Sequence, residues 1–386
     1  MTATTSTDST VSALIQRRIR QDVLGMHAYA IQDSKGMVKL DAMENPHRLP
    51  AELQEALGKR LGALALNRYP DGRVNDLRQA LAAYAGMPEG FDIMLGNGSD
   101  ELISLLAMAC DVPVASGQPK PAILAPLPGF VMYAMSAQLQ GLSFVGVPLT
   151  ADFELDVPAM VQAIATHQPA IVYLAYPNNP TANLWAEADM VRVVAAAQAA
   201  GSIVAIDEAY QPFSSRTYLD VIRANPAANA HVLLMRTMSK FGLAGVRIGY
   251  MVGPQTLIAQ VDKVRPPYNI SVLNYECALF ALEHQEAFAA QARDICAQRA
   301  TLLGALRALP GVKAWNSDAN MVLVRITGEG ASGVDGAQKV FDGLKARGVL
   351  VKNVSKMHPL LAQCLRLTVG TSDENTRMLK ALQESL

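Results

Sequence analysis

Disulfide and metal chemistry find little purchase in this sequence. Its four cysteines, Cys110, Cys277, Cys296 and Cys364, are scattered and form no C-x-x-C pair. They read as buried thiols in a reducing compartment. The six histidines, His27, His47, His167, His231, His284 and His358, stand apart from one another without an H-E-x-x-H pair, so no metal site is expected. Long apolar runs are missing as well. The longest, Val193 to Ile206, is interrupted by Gln198, Gly201 and Ser202, which is the pattern of a helix feeding a strand and not of a membrane span. Neither sign of charge dominates: 33 Lys and Arg face 34 Asp and Glu, a net charge of -1, so nothing calls for nucleic acid or an anionic membrane surface. The first ten residues are rich in Ser and Thr, and Arg17, Arg18 and Arg20 follow. No apolar segment with a cleavage site accompanies them, so the cytoplasm is the expected compartment.

Hydrophobic residues make up 51% of the 386 and charged residues 17%, which suits a well-packed enzyme larger than one core usually grows. Two domains are therefore expected. Residues up to about Thr10 read as a frayed terminus and Val11 to Leu24 as a short amphipathic helix. Beyond them, apolar strands alternate with amphipathic helices: Pro121 to Pro126 then Val131 to Leu139, Ser143 to Pro148 then Pro158 to Thr166, Ala170 to Ala175 then Glu187 to Ala199, and Ser202 to Asp207. Strands that are continuously hydrophobic argue for a mostly parallel sheet flanked by helices, an α/β fold. From about Val272 a long helical stretch, Cys277 to Leu309, leads into strands at Met321 to Ile326, Val349 to Asn353 and Cys364 to Val369, with helices at Gly336 to Arg347 and Glu374 to Ser385. We expect a large domain over residues 46–275, a smaller α+β domain over 276–386, and an N-terminal arm over 1–45 joining the small domain.

In a parallel sheet ligands gather at the carboxyl ends of the strands, so the residues there carry the functional reading. The richest stretch is Arg236-Thr-Met-Ser-Lys-Phe-Gly-Leu-Ala-Gly-Val-Arg-Ile-Gly-Tyr250. A lysine in such a turn can form a Schiff base with a carbonyl cofactor, and an arginine seven residues later can hold that cofactor's phosphate. Pyridoxal phosphate needs a lysine, a carboxylate for its pyridine nitrogen, donors for its phenolate oxygen, an aromatic wall and phosphate donors. Lys240 answers the first need, and Asp207, at the end of Ile203 to Ile206, the second, its charge raising the ring nitrogen's pKa. Tyr210 and Asn179 can donate to the phenolate, and Phe130, after Pro128-Gly129, can lie against the ring. The Gly98, Ser99 and Asp100 amides open a helix after the strand Phe91 to Leu95, a ready anion site. Thr237, Ser239 and Arg247 join them as phosphate ligands, with Tyr69 in Leu66-Asn-Arg-Tyr-Pro-Asp-Gly72 as a further donor. Arg236 reads as structural.

Asn178-Asn-Pro-Thr181, Asp207-Glu-Ala-Tyr210 and Ser239-Lys-Phe-Gly-Leu-Ala-Gly-Val-Arg247 stand in the order and approximate spacing of the fold-type I, class I/II aminotransferases, and the sequence resembles that family over nearly its whole length. Within it, Lys39-Leu-Asp-Ala-Met-Glu-Asn-Pro46, Asn67-Arg-Tyr-Pro-Asp-Gly72, Arg265-Pro-Pro-Tyr-Asn269 and Cys364-Leu-Arg-Leu-Thr-Val-Gly-Thr371 look like the histidinol-phosphate aminotransferases. The resemblance implies pyridoxal 5'-phosphate as cofactor, glutamate as amino donor, and imidazole acetol phosphate as the keto partner of L-histidinol phosphate in histidine biosynthesis. It also implies a homodimer in which Tyr69 reaches the neighbouring subunit's cofactor, and Arg366 as receiver of glutamate's α-carboxylate. The ligands of the substrate phosphate stay open among Tyr29, Asn45, Tyr69, Asn320, Lys352, Asn353 and Arg366, with Asn179 nearby. Three residues depart from the pattern: Phe130 where many relatives have tyrosine, Ala182 where many have glycine, and Ser271 in place of an asparagine. Three other readings compete: an aromatic amino acid aminotransferase using Tyr29, Phe130 and Tyr268, a phosphate-substrate decarboxylase of similar fold, and a cofactor-sensing regulator. The last would need a DNA-binding domain, and the stretch before Lys39 is too short for one.

Overall fold

The sequence Ile171-Val-Tyr-Leu-Ala175 shows how the main sheet is built: every residue is buried, and alternate side chains enter different cores. Val172 and Leu174 pack on one face with Val204 and Ile206, while Ile171 and Tyr173 pack on the other with Ala205, Leu233 and Met235. That is the two-residue period of a strand covered on both sides.

The computed structural model describes residues 4–26, 32–112, 117–327 and 336–386. The chain clusters into two units divided after Lys35. In the first lie α1 (Thr4–Arg18) and α2 (Gln21–Leu24). The helix thus begins earlier than the frayed terminus expected up to Thr10, because no proline or glycine interrupts it and Arg17 and Arg18 favour the negative end of its dipole. It stops where Arg20 takes extended angles and its guanidinium turns to the Asp22 carboxylate, 2.6 Å away.

In the second unit come β1 (Val38–Lys39), α3 (Ala51–Gly62), α4 (Arg73–Ala85), β2 (Phe91–Gly96), α5 (Ser99–Ala109), β3 (Ala122–Leu127) and α6 (Val131–Gln140). There follow β4 (Ser143–Pro148), α7 (Val157–His167), β5 (Ile171–Ala175), α8 (Glu187–Ala199), β6 (Ile203–Asp207), α9 (Tyr218–Ala224) and β7 (Val232–Thr237). After β8 (Gly249–Pro254) and α10 (Gln255–Val261) the chain runs through α11 (Val272–Glu283), α12 (Gln285–Ala308), β9 (Val312–Ala314) and β10 (Met321–Ile326). It closes with α13 (Gly336–Ala346), β11 (Val349–Leu350), β12 (Lys352–Asn353), β13 (Cys364–Thr368) and α14 (Ser372–Gln383).

Seven strands form the main sheet in the order β2-β8-β7-β6-β5-β3-β4. All neighbours are parallel except β8, which runs antiparallel to both β2 and β7, so the sheet is mostly parallel as expected. A smaller antiparallel sheet, β12-β13-β10-β9, packs its own core from Val322, Val324, Leu365 and Leu367 against Ile295 and Leu302 of α12 and Met378 and Leu382 of α14. Two expectations need correction. The stretch Val349 to Asn353 is not one strand: it parts at Val351, β11 pairing with β1 and β12 with β13. Cys277 to Leu309 is not one helix either, because His284 adopts non-helical angles (φ -114°, ψ 30°) and tilts its ring onto Phe280. Among the described residues no helix is long and apolar enough to cross a membrane.

Pairing of β1 with β11 brings residues 40–44 beside the strand ends: the Thr368 amide donates to the Leu40 carbonyl, and the Met43 amide to the Thr368 hydroxyl.

Candidate active site

Asp207 is the last residue of β6, between Ala175 of β5 and Met235 of β7. Its position follows from the strand's apolar run: four residues that want burial carry the fifth, a carboxylate, to the carboxyl end of this central strand while leaving it only 5% exposed. Two donors meet it. Tyr133 Oη gives a 2.7 Å bond to Oδ2, and the Ala209 amide a 3.0 Å bond to Oδ1. Burial pushes the carboxyl up to about 6 even though both donors pull it down. No salt bridge reaches Asp207 among the described residues, so its buried carboxylate is matched there by hydrogen-bond donors alone.

Lys240 lies in a widened helical turn, Ser239–Leu243, that begins two residues after β7 ends. Its Nζ donates to the Ala42 carbonyl at 3.0 Å and stands 5.9 Å from the centroid of the Tyr210 ring. Burial, helped by the Arg366 charge, brings this amine down to about 8, which raises the share of the neutral, nucleophilic form near neutral pH. Tyr210 is itself buried, and its phenol is held well above its ordinary range by that burial, so it stays protonated and can donate.

An anion cradle closes one end. Gly98 precedes α5 at φ 81° and offers no side-chain cap, which leaves the helix's first amides free to face a ligand. A Cβ on Gly98 would strike the Arg247 guanidinium, and one on Gly249 would come within 2.6 Å of the Ser99 amide nitrogen. Backbone is thus brought as near as glycine permits. Arg247 Nη1 donates to Ser239 Oγ at 3.3 Å, and Thr237 Oγ1 lies 3.0 Å from that same oxygen. Asp100 contributes more than an amide: its carboxylate sits 3.3 Å from Arg247 Nη2, an ion pair whose partners are both about half exposed and which therefore adds little stability.

At the other end, Arg366 of β13 is 8% exposed. Its Nη1 donates to Asn179 Oδ1 and its Nη2 to the Asp41 carbonyl, each at 2.8 Å. The neighbouring Asn178 ties the loop down through the Pro128 carbonyl and the Thr181 hydroxyl.

Between these groups lies a cavity of about 290 Å3 whose lining includes Ser99, Asp100, Phe130, Asn179, Asp207, Tyr210, Thr237, Ser239, Lys240 and Arg247. Segments as far apart as residue 99 and residue 247 therefore converge on one space, and Phe130 supplies its aromatic wall. Other expected residues stand elsewhere. Asn45 does not line the cavity, since its amide group is committed to Gln291 Oε1 at 2.9 Å and its oxygen to the His47 amide. Tyr69 is 76% exposed and stacks on Tyr268, 4.6 Å between centroids, away from this chain's cavity. Tyr29 falls outside the described residues. Arg236 is structural: it bonds Glu208 and Thr217 behind the site.

The departures resolve physically. Ala182 holds φ 64°, a left-handed conformation that alanine enters at roughly 1–2 kcal/mol. Ser271 caps α11, its Oγ accepting from the Asn274 amide at 3.2 Å. Three contributors were not foreseen: Tyr133, Glu44 in the cavity wall, and the Ala42 carbonyl. Tyr133 stands one helical turn after Phe130, so a same-face argument could have found it.

Comparison with known proteins agrees with this geometry. Residues 35–382 match the family described as aminotransferase class I and II. The chain is 68% identical over 382 residues to a histidinol-phosphate aminotransferase of Polaromonas naphthalenivorans, covering 99% of this chain and 100% of the relative. It is 65% identical to one from Paracidovorax citrulli, covering 98% and 100%. The solved histidinol-phosphate aminotransferase of Sinorhizobium meliloti, in complex with pyridoxal-5'-phosphate, shares the fold at a TM-score of 0.79 and 24% identity over 95% of this chain and 97% of that one.

Proposed function

Because the chain belongs to the class I and II aminotransferases, we propose that it exchanges the amino group between L-histidinol phosphate and 2-oxoglutarate, giving imidazole acetol phosphate and glutamate. Pyridoxal 5'-phosphate is the cofactor. The residues present fit it: Asp207 is a buried carboxylate without a cation, the free amides of α5 and Arg247 await an anion, and Lys240 is an amine depressed towards neutrality. When bound, the cofactor supplies an aldehyde that takes up the amino group and an aromatic ring that draws electrons from the carbon losing its proton.

The chain's own groups divide the remaining work. Lys240 Nζ, neutral in part at physiological pH, anchors the cofactor and then carries the proton on and off the substrate carbon. Asp207 holds a proton at the ring nitrogen, and Tyr210 and Asn179 donate to the ring's phenolate oxygen. Arg366, already steered by Asn179 and the Asp41 carbonyl, offers its guanidinium to the α-carboxylate of glutamate. Ser99, Thr237, Ser239 and Arg247 hold the phosphate. The observation that carries this reading is the convergence of Lys240, Asp207, Tyr210, Arg247 and Asn179 on a single cavity, with Arg366 hydrogen-bonded to Asn179 just behind its wall.

We further assign residues 46–275 to a large cofactor-binding domain, 276–386 to a small one and 1–45 to an arm, in a cytoplasmic homodimer. The exposed Tyr69–Tyr268 stack supports a reach of Tyr69 into the partner's phosphate site. A paired assay tests the function: histidinol phosphate against tyrosine and phenylalanine with 2-oxoglutarate, followed at the cofactor's absorbance. Histidinol phosphate should be preferred by kcat/KM, and Lys240→Ala should abolish turnover. Equal or better turnover of tyrosine would transfer the chain to the aromatic aminotransferases, and a Lys240→Ala protein at near-normal rate would overturn the mechanism.

A further inference from the structure

Tyr133 is a buried phenol that none of the steps above uses, and its surroundings fix it on every side. It sits in α6, 2% exposed, with its ring stacked on Tyr173 (4.3 Å between centroids, 5° between planes) and edge-on to Phe130 (5.6 Å, 83°). With the ring held by these two contacts, its hydroxyl donates to Asp207 Oδ2 at 2.7 Å. Phe130 and Asp207 both line the cofactor cavity, so a single side chain braces the aromatic wall and the carboxylate together.

We infer that Tyr133 is a positioning residue whose hydroxyl keeps Asp207 in its carboxylate form and aimed at the cofactor's ring nitrogen, a proposal that rests on the reading of this cavity as a pyridoxal phosphate site. The physical case is one of balance. The groups facing Asp207 are Tyr133 from α6, Tyr173 from β5, Asp100 from α5, and Glu208 and Tyr210 from its own strand end. Asp100 and Glu208 carry like charge and oppose its ionisation, as does burial. Among the described residues, Tyr133 and the Ala209 amide are the hydrogen-bond donors that favour it, and of the two Tyr133 is the one that a side-chain change removes. A proton shared between Asp207 and a ring nitrogen settles on the nitrogen when the carboxylate is well solvated by donors, and moves to the carboxylate when a donor is lost.

The test compares Tyr133→Phe with Tyr173→Phe, each loaded with ring-15N pyridoxal phosphate. The nitrogen's chemical shift is followed against pH, and cofactor affinity is measured by fluorescence titration. Tyr133→Phe keeps the stack and loses the donor: the ring nitrogen should move towards its unprotonated shift near neutral pH, and cofactor should bind roughly 10- to 100-fold more weakly, the range for a hydrogen bond to a charged group. Tyr173→Phe should leave both readings as in the parent. Site-specific 3,5-difluorotyrosine at position 133, a stronger donor that keeps the ring, should shift the titration the opposite way, and it decides the matter if Tyr133→Phe does not fold. An unmoved nitrogen shift in the donor-altered proteins, or an equal effect from Tyr173→Phe, overturns the proposal. Failure of the parent protein to bind cofactor would instead sink the reading of the site.

Discussion

The Arg236–Glu208 pair lies directly behind the cavity, and removing one partner measures how far the site depends on it. Arg236 is the last residue but one of β7 and is 5% exposed; Glu208 follows Asp207 and is 1% exposed. Arg236 Nε and Nη2 donate to Glu208 Oε2 at 3.0 and 2.9 Å, Nη2 also reaches Thr217 Oγ1 at 2.9 Å, and the Tyr218 amide donates to Glu208 Oε1 at 2.6 Å. Burial pushes the Glu208 carboxyl up while the Arg236 charge beside it holds it down. Arg236→Met strands that carboxylate with one amide and one hydroxyl, and the cost for a broken buried pair is about 3–5 kcal/mol. Urea unfolding of the cofactor-free protein at pH 7.5 reads it as a lower midpoint with an unchanged slope. The loss should shrink towards pH 5, where the stranded carboxyl is free to take a proton, since the native state then binds more protons than the unfolded one. The double variant Arg236→Met, Glu208→Leu should recover most of the loss, because replacing both charges by apolar groups removes the desolvation cost with the attraction. A single-variant loss below about 1 kcal/mol, or a double variant no better than the single, refutes the reasoning.

Other outcomes follow from the same coordinates. Asp207, raised from 3.8 to about 6, has a native pKa above its unfolded one, so the cofactor-free protein should lose stability as pH rises from about 4 to 6; Asp207→Asn should abolish that loss and gain up to about 3 kcal/mol at pH 7.5 in urea, while cofactor affinity collapses. Gly98→Ala forces a Cβ into the Arg247 guanidinium at φ 81°, and fluorescence titration should show pyridoxal phosphate bound at least tenfold more weakly in a protein with an ordinary circular dichroism spectrum. Asn179→Ala removes one of the bonds that steer the Arg366 guanidinium and, on the proposed reading, a phenolate donor, so KM for glutamate should rise about tenfold and the cofactor's absorbance titration should move; unchanged values in both would remove Asn179 from the site.

How much of this was legible in the sequence depends on where each residue gets its role. Lys240, Asp207, Arg247 and the Gly98–Asp100 turn are strand-end or helix-start residues, and in a parallel sheet those positions face the ligand whatever the helices do. Short motifs therefore picked out residues that the fold gathers at one cavity. The α/β alternation was equally visible, because strands buried on both faces must be apolar throughout. The antiparallel β8 was not foreseen, since Gly249-Tyr-Met-Val-Gly-Pro254 carries no mark of its direction. The break at His284 escaped for a related reason: helix periodicity runs through it, and no proline or glycine marks the residue that takes the non-helical angles. Asn45 misled because its neighbours do matter. Glu44 lines the cavity and the Ala42 carbonyl takes the Lys240 amine, while Asn45 itself points to α12.

The charges of the site are incomplete without a ligand, and this explains why its residues sit at odds with their own stability. Among the described residues Asp207 is buried without an ion-pair partner, Lys240 is an amine disfavoured by burial and by the Arg366 and Arg247 charges, and Gly98 gives α5 no side-chain cap. Each arrangement costs the cofactor-free protein stability that a helix cap or a plain ion pair would restore. A molecule bearing a cationic ring nitrogen at one place and a phosphate at another answers Asp207, α5 and Arg247 at once, and its binding to the native state alone adds about 2.7 kcal/mol of stability at a hundredfold excess over its dissociation constant. The strain is therefore what selects the ligand: any compound lacking either charge leaves part of the cost in place. By the same reasoning the structural pair Arg236–Glu208, fully matched within the chain, has no call on a ligand, and this is what separates it from the arginine eleven residues later that does.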